Sequence, residues 1–353
     1  MARTEQRSTL RAVAERAGVS IGTASAAFAG KAWVSDSARA SIRTAAEELD
    51  YHPRARRGST AVAPPPVTSI GFLSQPSEMF APGSPYAAAV LFGAQQACAQ
   101  LNISMNYEVS DPASGRLPLS VERREVGGVL LLGHGCDRDY LRRIIDTSIA
   151  CVLLEHGDVG LEVDYVRHDD ADGGYRATGH LLDLGHVDPA PAIITGPADV
   201  LPAQQRLAGY ARALAERGLA VEPVYLRRAD LSAAGGGAAM AELLDLPVPP
   251  TAVFCANDET ALGALETLRC RGVQVPRDIS VVGYDDIKTA AYTMPPLTTV
   301  ASDKELLGAQ AVWHLLERIR QPGLTSRDTR LAVRLIERAS TGRPRTRSTL
   351  RAG

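Results

Sequence analysis

Over the first fifty residues apolar positions recur with helical spacing, and from residue 69 they gather instead into short runs separated by longer helical stretches. In TLRAVAERAG, Leu10, Val13, Ala14 and Ala17 fall at i, i+3, i+4 and i+7, one face of a helix that stops at Gly18. Ser20 is a good N-cap for a second helix, IGTASAAFAG, ending near Gly30. A third begins after Ser35, with Ile42, Ala45, Ala46 and Leu49 as its inward stripe. A helix, a tight glycine-containing turn, a second helix and a third is the geometry that sets a recognition helix into the DNA major groove.

Between Pro53 and Pro66 the text changes to RARRGSTAVAPPP, the composition of a linker. Beyond it the runs SIGFL, GGVLLLG, ACVLLE, PAIITG, TAVFCAND and ISVVGYDD alternate with helical patterns such as AAAVLFGAQQACAQL and ETALGALETLRCRG. Strands alternating with helices predict a parallel sheet with crossover connections. The length accommodates two such sheets, with functional residues at the carboxyl ends of strands. The expected fold is therefore an all-α helix-turn-helix headpiece followed by an α/β module of two Rossmann-like parallel-sheet subdomains.

Composition narrows the function. At 353 residues the chain exceeds one ordinary core. The five cysteines are scattered and in no metal-ligand spacing, so neither a disulfide framework, a metal nor a cofactor is expected, and the setting fits a reducing cytosol. The N-terminal stretch has no apolar signal-type core, and nowhere do about eighteen apolar residues run together, which points away from export and from a membrane. Residues 1–60 carry ten Arg and Lys against six Asp and Glu, a local +4 that leaves the remainder at −6. That split suggests a polyanion-binding head on an acidic body. Ser20, Thr23 and Ser25 are placed to bond phosphates from the second helix, and Arg11, Arg39 and Arg43 to supply positive charge.

VAERAGVS, TAS and VSDSARASIRTAAEELDYHP resemble the headpiece of the lactose-repressor (LacI/GalR) family of transcription regulators. HLLDLGH (180–186), RLAGY (206–210), FCANDETALGALETLRCRGVQVPRDISVVGYDD (254–286), PPLTTV (295–300) and RLIERASTGRP (334–344) resemble that family's effector-binding module. The resemblance implies a periplasmic-binding-protein-like module of two subdomains around a cleft, a homodimer, and binding to a double-stranded DNA operator controlled by a small-molecule effector, a sugar or similar metabolite. The expected organisation is a headpiece over 1–53 and a hinge linker over 54–66. One effector subdomain, the dimerising one, is expected over 67–168 and 302–330, the second over 169–301 and 331–340, and a polar tail over 341–353.

Within the cleft, Asn257, Asp258 and Asp285 follow apolar runs and so sit where strand ends face a ligand, while Arg206 opens a helix and offers a multi-donor clamp. The competing reading of Asp258 and Asp285 is that they cap the following helices. By resemblance Arg206 and Asp285 are the direct contacts and Asp258 is mainly structural. Ser74, Tyr86, His134 and Glu155 match the first-subdomain pocket wall. Leu231 stands where sugar-binding members place a stacking aromatic. In the headpiece the resemblance adds Leu10 and Trp33 to the DNA surface. The recognition helix presents Ile21, Gly22 and Ala26 at its usual base-reading positions, and none of these carries a side-chain donor. Ile21 can meet only a thymine methyl. The linker lacks the wedging leucine, with Thr60 near its place, and Arg54, Arg56 and Arg57 remain for a narrow minor groove.

Two alternatives stay open: a solute-binding protein with a degenerate headpiece, and an enzyme using GHGC (133–136) and the acid/base groups of HDD (168–170). Neither short motif forms a recognised catalytic signature. The basic, amide-poor DNA surface predicts DNA binding that is unusually salt-dependent and weakly sequence-selective. Titrating affinity for genomic fragments against salt checks this, and a shallow slope with tight, selective binding contradicts it.

Overall fold

The computed structural model describes residues 9–28, 34–49, 51, 67–75, 84–133 and 136–345. The chain divides into two compact units at Pro65–Pro66. In the first, α1 (Leu10–Arg16), α2 (Ile21–Phe28) and α3 (Asp36–Glu48) form a three-helix unit. Thr9, Ser20 and Ser35 accept hydrogen bonds from the backbone N–H groups of Ala12, Thr23 and Ala38, each satisfying a donor that has no partner inside its helix. Gly18, at φ +69°, makes the left-handed turn that releases α1 into α2. Val13, Ala14, Ala24, Ile42, Ala45 and Ala46 form the core, its many alanines drawing the helices close.

In the second unit, β1 (Ser69–Ser74), α4 (Pro85–Gln100), β2 (Ser104–Val109), α5 (Leu119–Glu122), β3 (Gly128–Leu132), α6 (Arg138–Asp146), β4 (Ala150–Leu154) and β5 (Asp164–His168) build a first sheet. A second is built from α7 (Asp170–Asp183), β6 (Ala192–Thr195), α8 (Leu201–Ala215), β7 (Leu226–Arg228), α9 (Ala233–Leu244), β8 (Ala252–Cys255), α10 (Asp258–Cys270), β9 (Ser280–Asp285) and β10 (Thr298–Ala301). The chain then returns to the first sheet with α11 (Lys304–Arg320) and β11 (Asp328–Leu331), and ends in the second with β12 (Arg334–Ile336). The strand orders are β11-β5-β4-β3-β1-β2 and β12-β10-β9-β8-β6-β7. Neighbours are parallel except β12, which runs antiparallel along β10. The near-continuous apolar strands β3 and β4 are buried on both faces, as helices on either side of a parallel sheet require.

Three short crossings join the sheets: Asp169 after β5, residues 302–303 after β10 and residues 332–333 after β11. The helices are drawn together by glycines. A Cβ on Gly308 of α11 would lie 2.1 Å from the carbonyl oxygen of Val90 in α4, and one on Gly93 of α4 would lie 2.0 Å from that of Glu305. Gly174 and Gly209 make the same reciprocal contact between α7 and α8, as Gly236 and Gly263 do between α9 and α10. These are backbone-to-backbone approaches that no rotamer change relieves. Gly179, also inside α7, has nothing within 4 Å of its added Cβ. Gly308→Ala is expected to lower unfolding free energy by about 2 kcal/mol or more, while Gly179→Ala is neutral or stabilising by up to about 1 kcal/mol. Denaturant midpoints of the two variants measure the difference, and equal midpoints contradict it.

Candidate functional site

In the headpiece, the exposed residues of α2 are Ile21, Gly22, Ser25 and Phe28, with Thr23 and Ala26 half-buried beside them. Ser20, exposed just before the helix, shares a hydrogen bond with the Thr23 hydroxyl, so both side chains are fixed at the helix start. Arg11 is exposed and paired with Glu15. Leu10 is half-buried against the helical core, so its place is structural as much as on a surface. Arg39 is tied to the carbonyl of Val34, and Arg43 is exposed. Trp33, Arg54, Arg56, Arg57 and His134 lie outside the described residues.

In the second unit, strand ends of both sheets meet around a buried guanidinium. Arg206, in the second turn of α8, is 5% exposed. Its Nε donates to Asp170 at 2.8 Å, Nη1 to the carbonyl of Ala256, and Nη2 reaches Asp285 at 3.5 Å. The ring of Tyr284 lies beneath it, 3.6 Å from centroid to guanidinium carbon. The glycine contacts set this geometry: a Cβ on Gly174 would strike the backbone of Arg206, and one on Gly173 the phenol of Tyr284. Burial works against the charged guanidinium, but Asp170 and Asp285 outweigh it and raise its pKa. Burial in turn pushes Asp170 up to about 6 against the pull of Arg206, and Asp285 is raised for the same reason.

The first subdomain contributes a second buried pair. Glu155, at the end of β4 and 2% exposed, accepts from the Tyr86 hydroxyl at 2.9 Å and from His168 Nδ1 at 2.6 Å. Burial favours the neutral forms of both partners. Their mutual charge and hydrogen bond win, lowering Glu155 and raising His168. Glu155 Oε2 is buried without a hydrogen-bond partner. His168 Nε2 reaches the carbonyl of Asp303, and Lys304 Nζ donates to the carbonyls of Ser302 and Asp285, so the crossings themselves touch the cluster. Glu155, Leu231 and Asp285 all hold positive φ angles (+53°, +68° and +103°), local strain of the kind that gathers at binding sites. Beside the crossings lies a cavity of about 890 Å³ whose walls include Phe92, Lys288, Ser302, Lys304, Leu306 and Arg334.

Tyr86, Glu155, Arg206 and Asp285 are thus brought together. Asn257 and Asp258 are instead engaged by the protein itself, Asp258 in the structural role that the resemblance implies. Asn257 is the cap of α10: its Oδ1 accepts from Thr260 and its Nδ2 donates to the carbonyl of Leu231. Asp258 is fully buried beneath, accepting from the Thr299 hydroxyl and the Ile287 N–H, and burial pushes its carboxyl up to about 8. Ser74 is spent on the Tyr107 hydroxyl of the neighbouring strand. Leu231 fills a small apolar cluster with Val200, Ala203 and Ala256, so no aromatic platform stands there. Sequence reasoning missed His168, Asp170, Tyr284 and Lys304. The HDD run carried the first two but was weighed only as acid/base groups of an enzyme. Among the described residues no cluster of three or more His, Cys, Asp or Glu is arranged to hold a metal, and no helix is long and apolar enough to cross a membrane.

The family model described as bacterial regulatory proteins, lacI family, matches residues 9–54, and the periplasmic binding protein-like domain matches 178–341. The chain is 33% identical to the ribose operon repressor of Escherichia coli K12 over 338 residues, 94% of this chain and 99% of that one. It is 29% identical to a LacI family transcriptional regulator from Enterococcus faecium solved with bound ribose, at a TM-score of 0.69 over 78% of this chain and all of that one. It is 27% identical to the lac repressor dimer solved with operator and the anti-inducer ONPF, at a TM-score of 0.68 over 96% of this chain and all of that one. A capped helix-turn-helix headpiece and a two-sheet module closing on a buried ionic cluster, matched over nearly the whole chain, place this protein in the LacI family of DNA-binding transcription regulators.

Proposed function

We propose that the protein is a cytoplasmic, homodimeric repressor whose operator affinity is set by a small neutral sugar held between its two subdomains, and that it is a binding protein without catalytic activity. The observation that carries the effector reading is the buried cluster around Arg206. Its cations are already engaged: all three guanidinium nitrogens of Arg206 have protein acceptors, and Lys304 is spent on carbonyls. Of the site's side-chain atoms buried without a hydrogen-bond partner, Glu155 Oε2 is an acceptor, and the Tyr284 and Ser302 hydroxyls can donate or accept. A neutral ligand bearing several hydroxyl groups suits that inventory better than a phosphate or carboxylate, whose charge would face the Glu155 carboxylate. The likeness to a ribose repressor supports a pentose as the first ligand to test.

Ribose and related pentoses are expected to raise the apparent melting temperature of the full-length protein, since a ligand that binds the folded state stabilises it by mass action. Glu155→Gln, which keeps the shape but turns half the carboxylate into a donor, is expected to remove most of that rise, whereas a pentose 5-phosphate gives none in either protein. No shift with any neutral sugar, or a larger shift with the phosphate, contradicts the reading.

The His168–Glu155 pair adds a pH dependence. A histidine whose folded pKa is raised contributes stability that is complete below the ordinary value of about 6.5 and lost as pH rises through the folded value. The melting-temperature advantage of the wild type over His168→Gln should therefore be largest near pH 6 and shrink on the alkaline side. An advantage that grows with pH contradicts the assigned protonation.

A further inference from the structure

α2 contains no Arg, Lys, Asn, Gln, Asp or Glu, so the side chains that make bidentate hydrogen bonds to base edges are missing from the recognition helix. Two exposed residues of its first turn stand out in their place. Ile21 is 48% exposed, a large apolar side chain that the headpiece core has not claimed. Gly22 beside it is not required by the fold. Its φ is not positive, and an added Cβ would meet only the Ser20 hydroxyl oxygen, at an ordinary 3.6 Å. Gly18, by contrast, is held at φ +69° and is needed for its turn. Alanine is the better helix former at an ordinary helical position, so Gly22 weakens α2, and among the described residues of the headpiece nothing offsets the loss. A glycine on an exposed helix face lets another molecule reach the backbone closely.

We infer that α2 recognises its operator by close approach and methyl contact. Gly22 lets the first turn seat directly against base-pair edges in the major groove, and Ile21 packs on the C5 methyl of a thymine in each half-site. That methyl is the apolar group that a base pair presents in this groove. The inference rests on the DNA-binding function and adds the kind of base recognised. Ser20 and Thr23, bonded to each other and to the helix start, are left to position the helix on phosphate and not to read bases.

The test uses the full-length protein and a duplex enriched by repeated selection from randomised DNA. Each thymine is replaced singly by deoxyuridine, which removes the methyl and leaves pairing and the O4 acceptor unchanged. One buried methyl group is worth about fourfold in affinity. One thymine per half-site is expected to lose about that factor, about fifteenfold when both are replaced, and Ile21→Ala is expected to be indifferent to the same replacement. Gly22→Ala is expected to unfold at no lower denaturant concentration yet bind at least tenfold more weakly. Indifference to deoxyuridine at every thymine, an Ile21→Ala protein that keeps the sensitivity, or a Gly22→Ala protein with wild-type affinity each overturns the inference. A protein that retains no duplex from the randomised pool overturns the DNA-binding reading itself, and this inference with it, whereas one that retains duplexes but enriches no sequence overturns this inference alone.

Discussion

A guanidinium taken out of water must be compensated on every side, and around Arg206 that requirement organises the effector module. Removing a charge from solvent costs several kcal/mol unless partners are placed to replace the water. Its four partners come from three strand or helix ends: Asp170 at the start of α7, Ala256 after β8, and Tyr284 and Asp285 at the end of β9. They converge because α7 and α8 touch backbone to backbone at Gly174 and Gly209. The close helix packing and the polar site are therefore one arrangement, the first fixing the geometry on which the second depends.

The same cluster is tied to the crossings between subdomains. His168 is the last residue of β5 and Asp170 the first of α7, so the first crossing is held at both ends by buried charge. At the second crossing Lys304 clasps the carbonyl of Asp285, and Asp303 offers its carbonyl to His168. A ligand that hydrogen-bonds to Glu155 acts on a group already bonded, through His168, to the hinge. Unequal affinity for two hinge states, by about 1 to 3 kcal/mol, is what allosteric control requires, and direct contact with the crossings gives that difference a physical route.

Much of this was legible in the sequence because its causes are local. Ser20 and Ser35 announce helix starts by their capping chemistry, and β1, β3, β4, β6, β8 and β9 announce themselves as apolar runs. β2 and β7 did not, since half-exposed edge strands such as SMNYEV carry polar residues without an apolar run. β5 was hidden for another reason: its buried Asp164, Arg167 and His168 are neutralised by partners more than a hundred residues away in sequence or on another strand. The site followed the same division. Arg206 and Asp285 stand in recognisable motifs, but Asn257 and Asp258 share a motif and turn inward, because Thr299, Ile287 and Leu231 offer them partners that only the folded chain brings near.

The central claim is that the ionic cleft and the DNA-reading headpiece are thermodynamically linked, and reciprocity tests it most directly. The affinity of the full-length protein for the proposed pentose effector, measured with and without saturating operator, should change by the same factor, about fivefold or more, by which the saturating effector changes its affinity for operator. Equal effector affinity in the free and operator-bound protein would contradict the account.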